Sequence, residues 1–190
     1  MGRYYSPRSR LSSSELGRKR YTASTMALDW SQCPEVTRAP EVLGGAWVLK
    51  GTRVPAANVL EVIAGGAAPP GEVAQRFPGV THAQLEAIFD FLVRSLELTR
   101  KERESEAMPV VITGQIDWSQ CPGVTRTPDT VSGAWRLENS RLMLECILCN
   151  FPDFSLHEIV EEVYEGIEFK QAAAVLEFAA QTLHQPALVH

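Results

Sequence analysis

The chain has 190 residues, 45% of them apolar and 22% charged, with a formal net charge of -5. That length and apolar content support one sizeable core or two small ones, and the acidic balance makes the chain as a whole a poor generic binder of polyanions. No run of about 18 apolar residues is present to cross a membrane.

Residues 1–25 hold six basic residues (Arg3, Arg8, Arg10, Arg18, Lys19 and Arg20) against Glu15, a net of +5. They share Arg- and Ser-rich composition with organellar transit peptides but lack the apolar region of a secretory signal. With Met26 just ahead of the ordered pattern, 1–25 reads as a disordered basic tail or an upstream extension. Four cysteines at unpatterned spacing suggest reduced thiols and a cytoplasmic location.

From Leu28 the chain reads LDWSQCPEVTRAPEVLGGAWVLKGT, and from Ile116 it reads IDWSQCPGVTRTPDTVSGAWRLENS. An offset of 88 carries Asp29 to Asp117, Trp30 to Trp118, Cys33 to Cys121, Arg38 to Arg126, Trp47 to Trp135 and Arg53 to Arg141. This reads as a tandem duplication: a first repeat domain at 26–98, a linker at 99–115, a second repeat domain at 116–184 and a short tail at 185–190. Units of about 70 residues stand near the lower limit for independent folding, so the copies are expected to pack on each other. The first copy carries a net charge of -3 over 28–98 and the second -7 over 116–184.

In the first copy, Val36 to Arg38 and Ala46 to Leu49 are β-type runs split by Pro40 and Gly44-Gly45, which predicts a small hairpin. Gly51 marks a turn, and Pro55 opens a helix to about Ala64 that Gly65-Gly66 stops. Pro69-Pro70-Gly71 opens a short helix to about Phe77. Thr81 with Gln84 has capping-box spacing, and Leu85, Ile88, Phe89, Leu92, Val93 and Leu96 form one helical stripe. The balanced charges of 99–115 read as a solvated helix end running into a linker. In the second copy the plan predicts a hairpin from about Val124 to Leu137 and helices over 140–150 and from Ser155 to about Tyr164. A final helix carries Phe169, Ala172, Ala173, Leu176, Ala180 and Leu183. The fold expected is mainly α with a small β-hairpin per repeat, as two tandem trihelical helix-turn-helix-like domains.

The run Gly45-Ala46-Trp47-Val48-Leu49-Lys50-Gly51-Thr52-Arg53-Val54-Pro55, led by Asp29-Trp30-Ser31-Gln32-Cys33-Pro34, resembles the domain-of-unknown-function 433 family. A hairpin ending in Gly-Thr-Arg-Ile/Val-Pro, then a helix, a glycine, a short helix and a longer one behind Thr or Ser, is its pattern. The resemblance covers about 70 residues of the first copy and implies a bacterial helix-turn-helix domain acting as antitoxin partner of a nuclease-like toxin. The second copy departs from it: Gly51 to Pro55 become Asn139-Ser140-Arg141-Leu142-Met143, and Thr81 becomes Glu168, which removes the capping hydroxyl. That copy is expected to serve as a pairing half, and further homodimerisation stays open.

For DNA, Thr81, His82 and Gln84 stand where a recognition helix reaches base edges, with Lys50, Arg53 and Arg76 as phosphate contacts. Arg53 and Arg141 could equally pair with Glu61 and Glu145. Glu158, Glu161, Glu162 and Glu165 form an acidic face suited to a basic partner such as a toxin nuclease. Cys146-Ile147-Leu148-Cys149 has redox or half-zinc spacing, but two thiols on a helix read as small hydrophobes. The four histidines lack a partner motif, and no phosphate loop, nucleophile elbow or carboxylate pair is present. The expectation is a non-catalytic, antitoxin-like or DNA-binding regulatory protein without cofactor or metal. The alternative is a protein-interaction module that does not bind DNA.

Overall fold

The computed structural model describes residues 29–66, 68–104 and 117–184, with side chains omitted for 97–104. The basic tail 1–25, linker residues 105–115 and the tail 185–190 lie outside the described residues. Within them the chain is mainly helical, with six α-helices and two small antiparallel hairpins.

The Asp29 carboxylate opens the described chain by accepting from the Ser31 backbone N–H and, at 2.6 Å, from its hydroxyl. That bends Trp30–Gln32 into a 3-10 turn and rolls Trp30 into full burial. Strand β1 (Val36–Arg38) pairs with β2 (Trp47–Leu49), setting Val36 opposite Leu49 and Arg38 opposite Trp47. Gly51 takes a φ of +74°, and the Thr52 hydroxyl donates to the Leu49 carbonyl and accepts from the Val54 N–H. The chain is thereby aimed into α1 (Ala56–Ala64), which buries Ala56, Val59, Leu60 and Ile63. It stops at Gly65-Gly66, and α2 (Pro70–Arg76) follows with Pro70 in its first turn.

The expected capping box forms at the start of α3 (His82–Glu104): Gln84 N–H donates to the Thr81 hydroxyl at 3.3 Å, and Thr81 N–H to Gln84 Oε1 at 3.1 Å. Leu85, Ile88, Phe89, Leu92 and Leu96 are buried, as a stripe spaced three and four apart requires.

In the second half, β3 (Val124–Thr125) pairs with β4 (Arg136–Leu137), and α4 spans Leu144–Asn150. The helix expected from residue 140 therefore starts four positions late. The Ser140 hydroxyl accepts from the Leu142 N–H at 2.9 Å, and Arg136 bridges to Met143, which keeps this stretch extended. Ser155 and Glu158 form the predicted capping box over α5 (Leu156–Glu158), but the helix widens at once into a π turn at Ile159–Val163. Helix α6 (Phe169–His184) closes the described chain. With Glu168 in place of a hydroxyl, half of the cap survives: Glu168 N–H donates to Gln171 Oε1 at 3.5 Å.

The halves interlock. Helix α1 packs on α6, and α3 packs on α4, so each half's first α-helix lies against the other half's last. Phe89 stacks on Phe151 with centroids 5.0 Å apart, a pairing worth about 0.5–1.5 kcal/mol beyond its burial. Trp30 donates its indole N–H to the Thr182 hydroxyl on α6. A Cβ at Gly66 would come within 2.5 Å of the Phe169 ring, so only glycine lets α1 end this close to α6. One continuous hydrophobic core includes residues of both halves.

Candidate functional site

The candidate contacts of the first half gather where three turns meet. Gln84 Nε2 donates to the Lys50 carbonyl at 2.9 Å and to Glu35 Oε2 at 3.4 Å, drawing the turn after β2 against the start of α3. A Cβ at Gly79 would sit 3.6 Å from Thr52, and one at Gly71 would sit 3.3 Å from His82 Nδ1. The turns carrying Lys50 and Arg53 are thus near the Thr81-His82 corner, with Arg76 on the last turn of α2. Lys50, Arg53, Arg76, Thr81 and His82 are all exposed.

Gln84 differs from the rest. It is buried at 8% exposure, and its amide is used in the capping box and on Lys50 and Glu35, so its side chain works inside the fold. His82 Nε2 lies 3.4 Å from Glu86 one turn on, which sets a carboxylate beside the imidazole at the helix start. Glu61, a conceivable partner of Arg53, instead has its Oε1 3.1 Å from His184 Nε2 on α6.

In the second half, Glu161, Glu162 and Glu165 are exposed along the π turn and the loop behind it. Glu158 is occupied in its capping box, where the bonds with Ser155, side chain first and backbone second, hold its carboxyl below the ordinary range. Cys146 and Cys149 both lie on α4, but only Cys146 is partly enclosed, and Cys149 is exposed, against the expectation of two buried thiols. Burial, then the neighbouring Glu145 charge, pushes the Cys146 thiol up. Asn150 Nδ2 donates to the Cys146 carbonyl and the Tyr164 hydroxyl, so this corner is a structural bridge between α4 and the π turn. Cys33 and Cys121 are buried, and burial raises Cys121 to about 12. Among the described residues no three His, Cys, Asp or Glu side chains converge as a metal cluster.

Residues 36–92 match the family model for a protein of unknown function, DUF433. The matched segment runs from β1 through most of α3 and contains Gly51-Thr52-Arg53-Val54-Pro55 together with all six candidate DNA contacts. No curated protein and no solved structure matches the chain. The DUF433 match ends before the second half.

Sequence reasoning missed a feature that occurs at corresponding places in both halves. Arg38 lies over the Trp47 ring at 5.5 Å and Arg126 over Trp135 at 5.4 Å. Each arginine sits beside a hairpin turn of successive left-handed residues: Leu43, Gly44 and Gly45 in one, Val131, Ser132 and Gly133 in the other. Arg38 Nε donates to the Gly45 carbonyl and braces that turn. The signal was present, since Arg and Trp recur together at the same offset, but nothing in the sequence says that they stack.

Proposed function

We propose that the chain is a non-catalytic, antitoxin-like regulatory protein made of two tandem helix-turn-helix-like copies that pair as the subunits of a dimer would. The pairing reading is supported by the packing of α1 on α6 and α3 on α4, and the two-copy reading by matching contacts within each half. Trp30 packs on Phe91 as Trp118 packs on Phe178, and Gln84 reaches the Lys50 carbonyl as Gln171 reaches that of Glu138. The observation that carries a nucleic-acid role is the convergence of exposed Lys50, Arg53, Arg76, Thr81 and His82 at the α2–α3 corner of the DUF433 segment.

Fluorescence anisotropy with duplex DNA at two salt concentrations tests this, on the full chain and on one starting at Met26. The expected result is salt-sensitive binding that survives truncation, with Arg53→Ala weakening it and lowering the salt slope by about 1. Gln84→Ala is the wrong probe, because it removes part of the cap and leaves the Lys50 carbonyl without its donor. Binding lost with the tail would reduce the effect to attraction between a polyanion and six basic residues.

A second reading, a module for a basic protein partner, is favoured by exposed Glu161, Glu162 and Glu165 on a half of net charge -7. Absence of DNA binding in both chains would leave this reading in place of the first.

A further inference from the structure

We propose that a cleft between the hairpin turn of the second half, α4 and Leu96 of α3 binds a free amino acid with an apolar side chain. The cavity measures about 330 Å³, at the small end of ligand pockets, which run from roughly 300 to 1,000 Å³. Leu96, Val131, Met143 and Trp135 supply apolar lining, and Arg126 and Glu145 supply one charge of each sign. A lone anion would be repelled by Glu145 and a lone cation by Arg126. A zwitterion meets both, its carboxylate toward Arg126 and its ammonium toward Glu145, with the side chain against the apolar wall. Arg126 contributes its positive charge there whatever else its five donors serve. The terminal carboxylate of a peptide fits less well, since it brings no ammonium for Glu145.

One further observation points to this half. At the corresponding positions of the first half, Met143 and Glu145 are replaced by Pro55 and Ala57, so the charge pair belongs to the second copy alone. The rim is also held in costly backbone: Val131, β-branched, has a φ of +50°, and Ser132 a φ of +51°. Left-handed conformations of such residues persist where the surroundings impose them, and they cluster at binding sites.

The test is isothermal titration of the full chain with L-leucine, N-acetyl-L-leucine and L-leucine methyl ester at millimolar concentrations, with tryptophan fluorescence as a second readout because Trp135 lines the cleft. Leucine should bind, and each blocked form should bind about tenfold more weakly, as loss of one charge-assisted contact predicts. Glu145→Gln, an exposed substitution, should weaken leucine by a similar factor and bind N-acetyl-L-leucine at least as well as the parent, since it removes the charge that repels a lone anion. Circular dichroism checks that this variant is folded, and Glu177→Gln on α6 is the charge-matched control. No binding of leucine, equal binding of all three compounds, or a Glu145→Gln variant that binds leucine as well as the parent would each overturn the proposal. None of these outcomes bears on the DNA reading, which concerns the first half.

Discussion

Trp30 and Trp118 occupy corresponding places, both fully buried, yet their indole N–H groups meet different fates. Trp30 donates to the Thr182 hydroxyl, which in turn donates a hydrogen bond to the Ala179 carbonyl. The Trp118 N–H is buried with no acceptor. A buried donor left unpaired costs about 1–3 kcal/mol, whereas a made bond contributes about 1 kcal/mol. Both Trp→Phe substitutions lose similar volume, so the difference between them isolates the N–H. Urea denaturation should find Trp30→Phe more destabilising than Trp118→Phe by about 2–4 kcal/mol; equal losses would mean that Trp118 is satisfied in solution. The sequence shows that the two tryptophans correspond but not which one finds a partner, because Thr182 lies 152 positions from Trp30. Gln84 teaches the same lesson. Its capping role follows from local spacing, while its burial depends on a carbonyl 34 residues away.

Among the elements, those set by local chemistry were the most legible. The Thr81 and Ser155 caps, the glycine stop after α1 and the apolar stripe of α3 stand where spacing put them. The start of α4 did not, because the Ser140 hydroxyl and the bridge from Arg136 to Met143 hold four residues extended. The π turn also had no sequence signal. The cap of α5 depends on ionised Glu158, whose folded pKa lies below its ordinary value of 4.5. A depressed carboxyl stabilises the fold above the unfolded pKa, and that contribution disappears as pH falls through the folded one. Mild acid, below about pH 4.5, should therefore weaken this cap. Thermal melts of Glu158→Gln and the parent should converge as pH is lowered through that window, and a gap unchanged by pH would dissociate the cap from the charge.

For the molecule as a whole, the seam between the halves is as tight as any contact within them. Gly66 has a φ of +73° and faces the Phe169 ring across that seam, whereas Gly44, at +66°, faces open space. Gly44→Ala should cost about 1 kcal/mol from backbone conformation alone, and Gly66→Ala an additional 1–3 kcal/mol, roughly, from steric overlap. Chemical denaturation followed by circular dichroism and by fluorescence should give one coincident transition for the parent and preserve it in Gly44→Ala. Two separated transitions would mean that the shared core does not couple the halves. Because α1 is roofed by α6 and α3 by α4, neither half carries its own lid. Recombination that exchanged one half for a foreign homologue would break both seams at once. Substitutions in this chain should therefore be inherited in pairs across it, with a change in α1 compensated in α6 before any neighbour in its own half responds.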